Sequence, residues 1–330
     1  SLVTDDHRAG LYIFGQNRHR SAYDHDGDGY SEIPKLHGQT IGFRSFLKTT
    51  TYSKLTFEYH HMEEFRRGGD LLNRPPHEAN VAEQTEHSIN GGGLKFDYFS
   101  PNENHRFNVF ASAQHINRDS YYGPGDRDPL DAYGNTTDLN WMAGSQYVYS
   151  FGKCIFMPSD LTAGIEFNQD KLEDNMWGYN RTVDQKVNIG SAFLQNEWKN
   201  EHWGFLIGGR LDKHNLIDHV IFSPRANLRY NPTENINLRF SYSSGFRAPQ
   251  AFDEDLHVEN VGGNVAMVEL ADDLKEERSQ SLSASADIYH RFGAFQVNFL
   301  VEGFYTKLSD VFALTDGEVV DGILTRTRHN

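Results

Sequence analysis

Apolar and polar residues alternate with period two along most of this chain, in runs of about ten residues. In "INLRFSYS", Ile236, Leu238, Phe240 and Tyr242 share one face, and Asn237, Arg239, Ser241 and Ser243 share the other. Leu55, Phe57 and Tyr59 alternate with Lys54, Thr56 and Glu58. Phe107, Val109, Ala111 and Ala113 alternate with Asn108, Ser112 and Gln114, Phe110 being the exception. Leu282, Ala284, Ala286 and Ile288 alternate with Ser281, Ser283, Ser285 and Asp287, and Phe295, Val297, Phe299 and Val301 with Gln296, Asn298 and Glu302. Such runs exceed the five or six residues usual for a soluble strand. The pattern predicts strands near 11–17, 37–48, 53–63, 85–98, 105–117, 137–150, 160–170, 185–199, 202–212, 220–230, 235–244, 277–290 and 294–308, with a weaker one near 319–328.

The connections alternate as well. Short turns ("TTTYS", "SPNEN", "KNEH", "NPTEN", "RFGA") close one end, with "FGKCIFMPSD" as a longer link there. The other end carries long polar loops at 18–36, 64–84, 118–136, 171–184 and 245–276; only 213–219 is brief. Long dyad strands between short turns and long loops are the signature of a transmembrane β-barrel. A soluble β-sandwich or propeller also alternates. Asn, Ser, Gln, Arg, Glu and Asp recur on the polar face, as a large watery lumen requires, and this favours the barrel. The expectation is an all-β fold: a transmembrane antiparallel β-barrel, apolar face to lipid and polar face to water.

Composition narrows the classes. Only 38% of the 330 residues are apolar, yet 13% are aromatic, with 29 Gly and 10 Pro, a mix suited to antiparallel strands and turns. No run approaches the roughly 18 apolar residues of a membrane-crossing helix. A net charge of −15 argues against nucleic acid, whose phosphates need a basic surface. The single Cys154 excludes an internal disulfide and a cysteine-based zinc site. No leader is visible at Ser1, so a mature chain or an internal fragment is expected. No GxSxG, HExxH or phosphate loop is present, and the expectation is a non-enzyme.

"SYSSGFRAPQAFDEDLH", followed by "ADDLKEERSQSLSASAD", resembles the barrel of TonB-dependent outer-membrane receptors. In that family a strand ends in a GFRAP-like box, a long external loop follows, and the next strand opens with an LKPE.S-like box. Here these are Gly245, Phe246, Arg247, Ala248 and Pro249, then Leu274, Lys275, Glu277 and Ser279, with Glu276 where the family has Pro. The resemblance implies that residues 1–330 are a partial barrel of about 13 to 14 strands from a larger receptor. The plug domain and the C-terminal strands would lie outside it, and the two open strand edges would lack their partners. It further implies a Gram-negative outer-membrane location, lipid and TonB as partners, TonB being reached through the plug, and a surface-exposed lipoprotein as a further partner. The small-molecule cargo is a scarce, bulky nutrient: a cobalamin-like compound, an iron chelate (a ferric siderophore or haem) or, third, an oligosaccharide. A passive porin would need neither box; a soluble binding module would dispense with lipid.

Several stretches are candidates for chemistry. "DHDGDGYSE" sets Asp24, Asp26 and Asp28 at alternate positions, with Gly29 to turn, the Tyr30 carbonyl and Glu32 completing an oxygen shell for Ca²⁺. Lys35 at the twelfth position excludes an EF-hand. The stretch looks like the calcium loop of the vitamin B12 receptor branch, in which a second loop adds carboxylates; Asp70, Glu78 and Glu83 are candidates. A solvated acidic turn is the alternative. Arg247 is read as pairing with lumen carboxylates or meeting ligand. His257, within "FDEDLHVEN", lies between the two boxes, where haem receptors of the family carry a histidine, although its acidic surround is unfriendly to haem propionates. Tyr121, Tyr122 and Tyr133 in loop 118–136 would stack on a flat ligand or serve a girdle or loop packing, and "MWGYNR" at 176–181 has the same two readings. Adjacent His60 and His61 point to opposite faces, and "GGG" at 91–93 marks a bend or close approach.

Overall fold

The computed structural model describes residues 1–123, 128–258, 265–320 and 323–330. The strands are β1 (Leu2–Val3), β2 (Ala9–Arg20), β3 (Ser31–Thr50), β4 (Ser53–Gly69), β5 (Ala82–Phe99), β6 (His105–Gly123), β7 (Tyr133–Cys154), β8 (Met157–Met176) and β9 (Arg181–Lys199). They continue with β10 (Trp203–His214), β11 (Ile221–Thr233), β12 (Ile236–Arg247), β13 (Val265–Leu270), β14 (Glu277–Phe292), β15 (Phe295–Ser309), β16 (Ala313–Val320) and β17 (Ile323–His329). A four-residue helix, α1 (Asp253–Leu256), and single 3₁₀ turns at Pro76–Glu78, Pro129–Ala132 and Trp177–Tyr179 lie among the loops.

Fourteen strands, β1 to β12 with β14 and β15, form one sheet in chain order, with β13 alone passed over between β12 and β14. Every pair in it is antiparallel, as in β12–β14, which runs from Ile236 opposite Ile288 to Arg247 opposite Glu277. This is the staved wall of a partial barrel. Among the described residues β15 has no partner on its far edge, and β2 is flanked there only by the two residues of β1, so the cylinder is not closed.

The staves outgrow the expected strands, chiefly at the loop end: β7 runs for 22 residues, and β3 and β8 for 20 each. Dyad apolar signal ends with the apolar band, but backbone pairing does not. In β7, Asn135, Thr136, Thr137 and Asp138 continue the ladder opposite Asn175, Asp174, Glu173 and Leu172 without an apolar face. "FGKCIFMPSD" is likewise not a long link: β7 and β8 meet at Cys154 opposite Met157, with Ile155 at positive φ making the turn. The segment near 319–328 is not a further stave either. β16 and β17 form a hairpin whose β17 lies parallel to β13, giving a separate three-stranded sheet in the order β13-β17-β16. Residues 313–329 lack a sustained ten-residue dyad, so nothing in them demands one wet and one apolar face.

The two faces separate as the alternation requires. On β12, Phe240 is 48% exposed, and on β15 Phe299 is 60% exposed, with no second packed layer over them among the described residues. Ile41, Ile165, Leu194, Ile207 and Phe222 extend the same outward band. At the turn end it is rimmed by stacked rings, with Trp203 centred 4.1 Å from Tyr230 and Phe156 5.6 Å from Trp198. The inward face carries charges in pairs, such as Arg210 with Glu166 at 2.6 Å and Lys199 with Asp160 at 2.9 Å. His60 and His61 do diverge: the His60 ring covers Gly91, where a Cβ would come within 2.6 Å, whereas His61 bonds Asn90. The triple glycine is therefore a close approach.

Candidate functional site at the loop end

At the loop end the staves pass into a packed cap. Ala79, Ala82, Tyr121, Tyr122, Ala132, Met176, Tyr179, Val258 and Met267 form one buried cluster, with Tyr133 and Ile323 against it. Loops that are far apart in sequence thus share one apolar centre. Tyr121 is 1% exposed and Tyr122 4%, so neither offers a ring face to a solute. Of the two readings of these rings, stacking on a flat ligand or packing, their burial in this cluster accords with loop packing. Burial pushes the Tyr121 hydroxyl up to about 12. Tyr133, half-buried, sits 4.8 Å from Tyr121 ring to ring and accepts or donates a 2.9 Å bond with His77. Met176 and Tyr179 of "MWGYNR" are in the same cluster, and Trp177 is exposed. Residues 124–127 of loop 118–136, and residues 259–264 with Glu259 of "FDEDLHVEN", lie outside the described residues.

Beside this cluster is a concentration of paired charge. Asp174 on β8 is 1% exposed; it accepts from Thr136 at 2.6 Å and from Arg181 at 2.9 Å, with Arg118 at 3.7 Å. Arg118 on β6 also donates to Asp253 at 2.8 Å, and Arg181 on β9 donates to the carbonyls of Leu256 at 2.7 Å and Asp255 at 3.3 Å. Arg328 on β17 bonds Asp255 at 2.7 Å and Glu254 at 3.3 Å. The short acidic helix is therefore seated in guanidinium groups. Burial raises the Asp255 carboxyl above its ordinary range, with the Phe252 N–H and Arg328 opposing, whereas the Arg247 bond holds Glu254 below its own.

The sequence-predicted residues take specific places around this seat. Arg247 ends β12, bonds Glu254, and lies 4.0 Å over the Phe252 ring and 5.5 Å from that of Phe312. It thus meets carboxylate and aromatic groups of the chain itself. His257 follows α1; its Nε2 meets Glu83 and its ring stands edge-on to Tyr122 at 5.1 Å. A nitrogen paired with a carboxylate is not presented as a bare iron ligand. Glu276, where the family pattern has Pro, accepts from Arg278 at 2.7 Å and lies 3.0 Å from His219, so it ties the start of β14 to the loop after β10. Arg118, Asp174, Arg181 and Arg328 belong to no motif. For Arg118, Asp174 and Arg181 the signal in sequence is charge at inward positions beyond the apolar band, Arg181 also ending "MWGYNR"; Arg328, on the separate sheet, has none.

The acidic loop converges as its spacing suggests. One carboxylate oxygen from each of Asp24, Asp26, Asp28 and Glu32 lies within 4.8 Å of the others, all in exposed residues. Backbone N–H groups orient them: Gly27 and Gly29 donate to Asp24 at 2.7 and 2.9 Å, Tyr30 to Asp28 at 2.8 Å, and His25 to Glu32 at 2.7 Å. Gly27 and Gly29 hold positive φ, 78° and 93°, which makes this turn possible. Hard oxygens so grouped fit a hard divalent cation. The second loop does not join them: Asp70 is buried on Asn80 and the Val81 N–H, Glu78 lies 4.0 Å from Arg74, and Glu83 meets His257.

A family model described as "TonB dependent receptor-like, beta-barrel" matches residues 4–328. No curated protein matches the chain. Among solved structures, the siderophore receptor PirA from Pseudomonas aeruginosa superposes with a TM-score of 0.75 at 12% identity, over 99% of this chain and 55% of that one. A mutant ferric enterobactin receptor (PfeA) from Pseudomonas aeruginosa in complex with enterobactin gives 0.76 at 13% identity, over 98% and 54%. A double mutant of the Serratia marcescens hemophore receptor HasR, in complex with its hemophore HasA and heme, gives 0.71 at 12%, over 97% and 54%. At such identities the likeness is one of fold, and the chain spans little more than half the length of each receptor.

Proposed function

The chain belongs to the TonB-dependent receptor-like β-barrel family, and from that premise we propose that it forms the ligand-capturing wall of a receptor importing a scarce, bulky nutrient across a Gram-negative outer membrane. The observation that carries this reading is the division of the staves: an uncovered apolar band outside, paired charges inside, and a polar mouth under packed loops at one end only. In this mechanism, the loop end selects cargo from the exterior, the charged inner wall gives it a hydrated path, and TonB supplies the energy. The apolar face meets lipid, with the stacked rings at its rim. A passive pore would have little use for a cap bound this tightly across its mouth.

Of the cargo classes, ferric siderophores and haem are favoured by the solved receptors of like fold, two of which are in complex with enterobactin and with a hemophore and heme. Cobalamin rests on the acidic loop alone. In this reading Asp24, Asp26, Asp28 and Glu32 hold Ca²⁺, with the Tyr30 carbonyl, and the ion cross-braces the exposed turn between β2 and β3. Calorimetry of the purified chain in detergent with ferric enterobactin, haem and cobalamin tests the assignment. Saturable binding of one of the iron chelates is expected, and no binding of any of the three would count against it. For the metal, calcium should protect loop 21–30 from protease, and the D26N/D28N variant should lose that protection; equal cleavage with and without calcium in the native chain would remove the site.

A further inference from the structure

The segment that leaves β12 does not stay above its pairing neighbours, β11 and β14. It crosses the mouth instead. Gln250 reaches His214 of β10 at 3.3 Å, Ala251 exchanges hydrogen bonds of 2.7 and 3.2 Å with Gln185 of β9, Asp253 meets Arg118 of β6, and His257 meets Glu83 of β5. Along this path each of its three carboxylates is taken by a guanidinium: Asp253 by Arg118, Glu254 by Arg247, and Asp255 by Arg328. Arg181 takes two of its backbone carbonyls.

The balance of charge is the telling feature. Of the carboxylates in this network only Asp174 belongs to the wall; the others arrive on the crossing segment. If residues 253–256 are lifted away, Arg247 and Arg328 lose their carboxylate partners and Arg118 and Arg181 are left to share Asp174, so these four guanidinium groups and one carboxylate carry a net excess of three positive charges. Arg181 is 7% exposed, and even with the segment seated its Nε has no hydrogen-bond partner among the described residues. The wall has donor capacity that the segment does not use.

The hold on Asp253 and Glu254 is also exchangeable, whereas Asp255 is buried against Arg328. The Asp253 side chain is 87% exposed and that of Glu254 59%. Ion pairs open to water are weak and are readily traded for a competing anion. Leu256 and Val258 are buried with Asp255 and tether the far end, so Asp253 and Glu254 can swing without the loop being lost.

We propose that the Asp253–Asp255 carboxylates are a tethered stand-in for the cargo, and that the cargo is a multiply anionic, oxygen-rich chelate that displaces them from Arg118, Arg247 and Arg328. This rests on the receptor reading above and narrows its ligand class. A ligand bearing about three negative charges restores the balance that the segment now supplies, and guanidinium groups pair well with carboxylate or catecholate oxygens. A neutral ligand leaves the arginines bare and cannot compete.

The test uses the full chain in detergent, with the trianionic ferric enterobactin complex as probe. Neutralising the tethered anion in D253N/E254Q/D255N should tighten binding about tenfold or more, equivalent to about 1.4 kcal/mol. The single D253N variant, altered at an exposed position, should tighten it by a smaller factor and guards against misfolding of the triple variant. Hydrogen exchange at residues 251–256 of the native chain should quicken when the probe binds. Unchanged or weaker binding in both variants, with the native chain still binding, would overturn the stand-in alone. Failure of ferric enterobactin, ferric citrate and haem to bind native and variant chains alike would overturn the receptor reading with it.

Discussion

Replacing Asp174 by Ala tests the view that the cap is organised by buried charge. Asp174 is 1% exposed and is shared by Arg181 at 2.9 Å, Thr136 at 2.6 Å and Arg118 at 3.7 Å, with both arginines themselves buried. Its loss leaves two desolvated guanidinium groups without their wall partner. Breaking a buried pair from one side costs about 3–5 kcal/mol, since the remaining charge cannot recover its hydration. Asp253 is the control: it bonds the same Arg118 at 2.8 Å, but its side chain is 87% exposed, so D253N should cost less than about 1 kcal/mol. Urea unfolding of the refolded chain in detergent, read by tryptophan fluorescence, gives the global figure. Hydrogen exchange across 133–136 and 174–181 localises it. Equal destabilisation by D174A and D253N, or a D174A effect below about 1 kcal/mol, would refute the claim that burial decides which pair matters.

Gly69 ends β4 with φ +97°, and a Cβ there would come 2.0 Å from the Val81 carbonyl, so Gly69→Ala should cost about 1–3 kcal/mol and raise exchange in 70–81, measured against Gly152→Ala, where a Cβ meets nothing. Glu276 has opposing influences: burial would raise its carboxyl, but the Arg278 bond and the nearby charges hold it below its ordinary 4.5. A depressed carboxyl stabilises the fold above its unfolded value and ceases to do so as pH falls through the folded one. Native and E276Q chains should therefore differ in stability by about 1 kcal/mol at pH 7, with Arg278 and His219 half exposed, and converge as pH falls below the ordinary carboxylate range, as denaturant midpoints against pH would show; a difference independent of pH contradicts this.

The wall of the fold was legible because lipid-facing and lumen-facing demands write a period of two into residues such as Ile236 to Ser243. Where that demand ends, legibility ends. Asn135 to Asp138 extend β7 by backbone pairing and by side-chain bonds such as Thr136 to Asp174, which leave no apolar trace. The hairpin of β16 and β17 was read as a stave because strand propensity does not say which strand will be the partner. Around the mouth, the acidic turn could be read from Asp24, Asp26 and Asp28, since its ligating groups are close in sequence. The rest of the arginine seat could not: Arg118 and Arg328 meet the carboxylates of one short helix, and Arg181 its backbone carbonyls, only after a loop from β12 has crossed to β6 and β9. For a related reason the sequence leaves Tyr121 and Tyr122 open between ligand stacking and loop packing, because the cover they receive from Ala79, Ala132 and Met267 is long-range.

The most direct test of the whole account is a scan of single nitroxide labels along residues 236–243 in a Cys154→Ser background, with the chain reconstituted into lipid bilayers. Oxygen, which concentrates in lipid, should relax labels at 236, 238, 240 and 242, and a water-soluble nickel chelate should relax those at 237, 239, 241 and 243. Accessibility without a two-residue period, or with nickel reaching the Phe240 side, would contradict a barrel that is apolar outside and wet within.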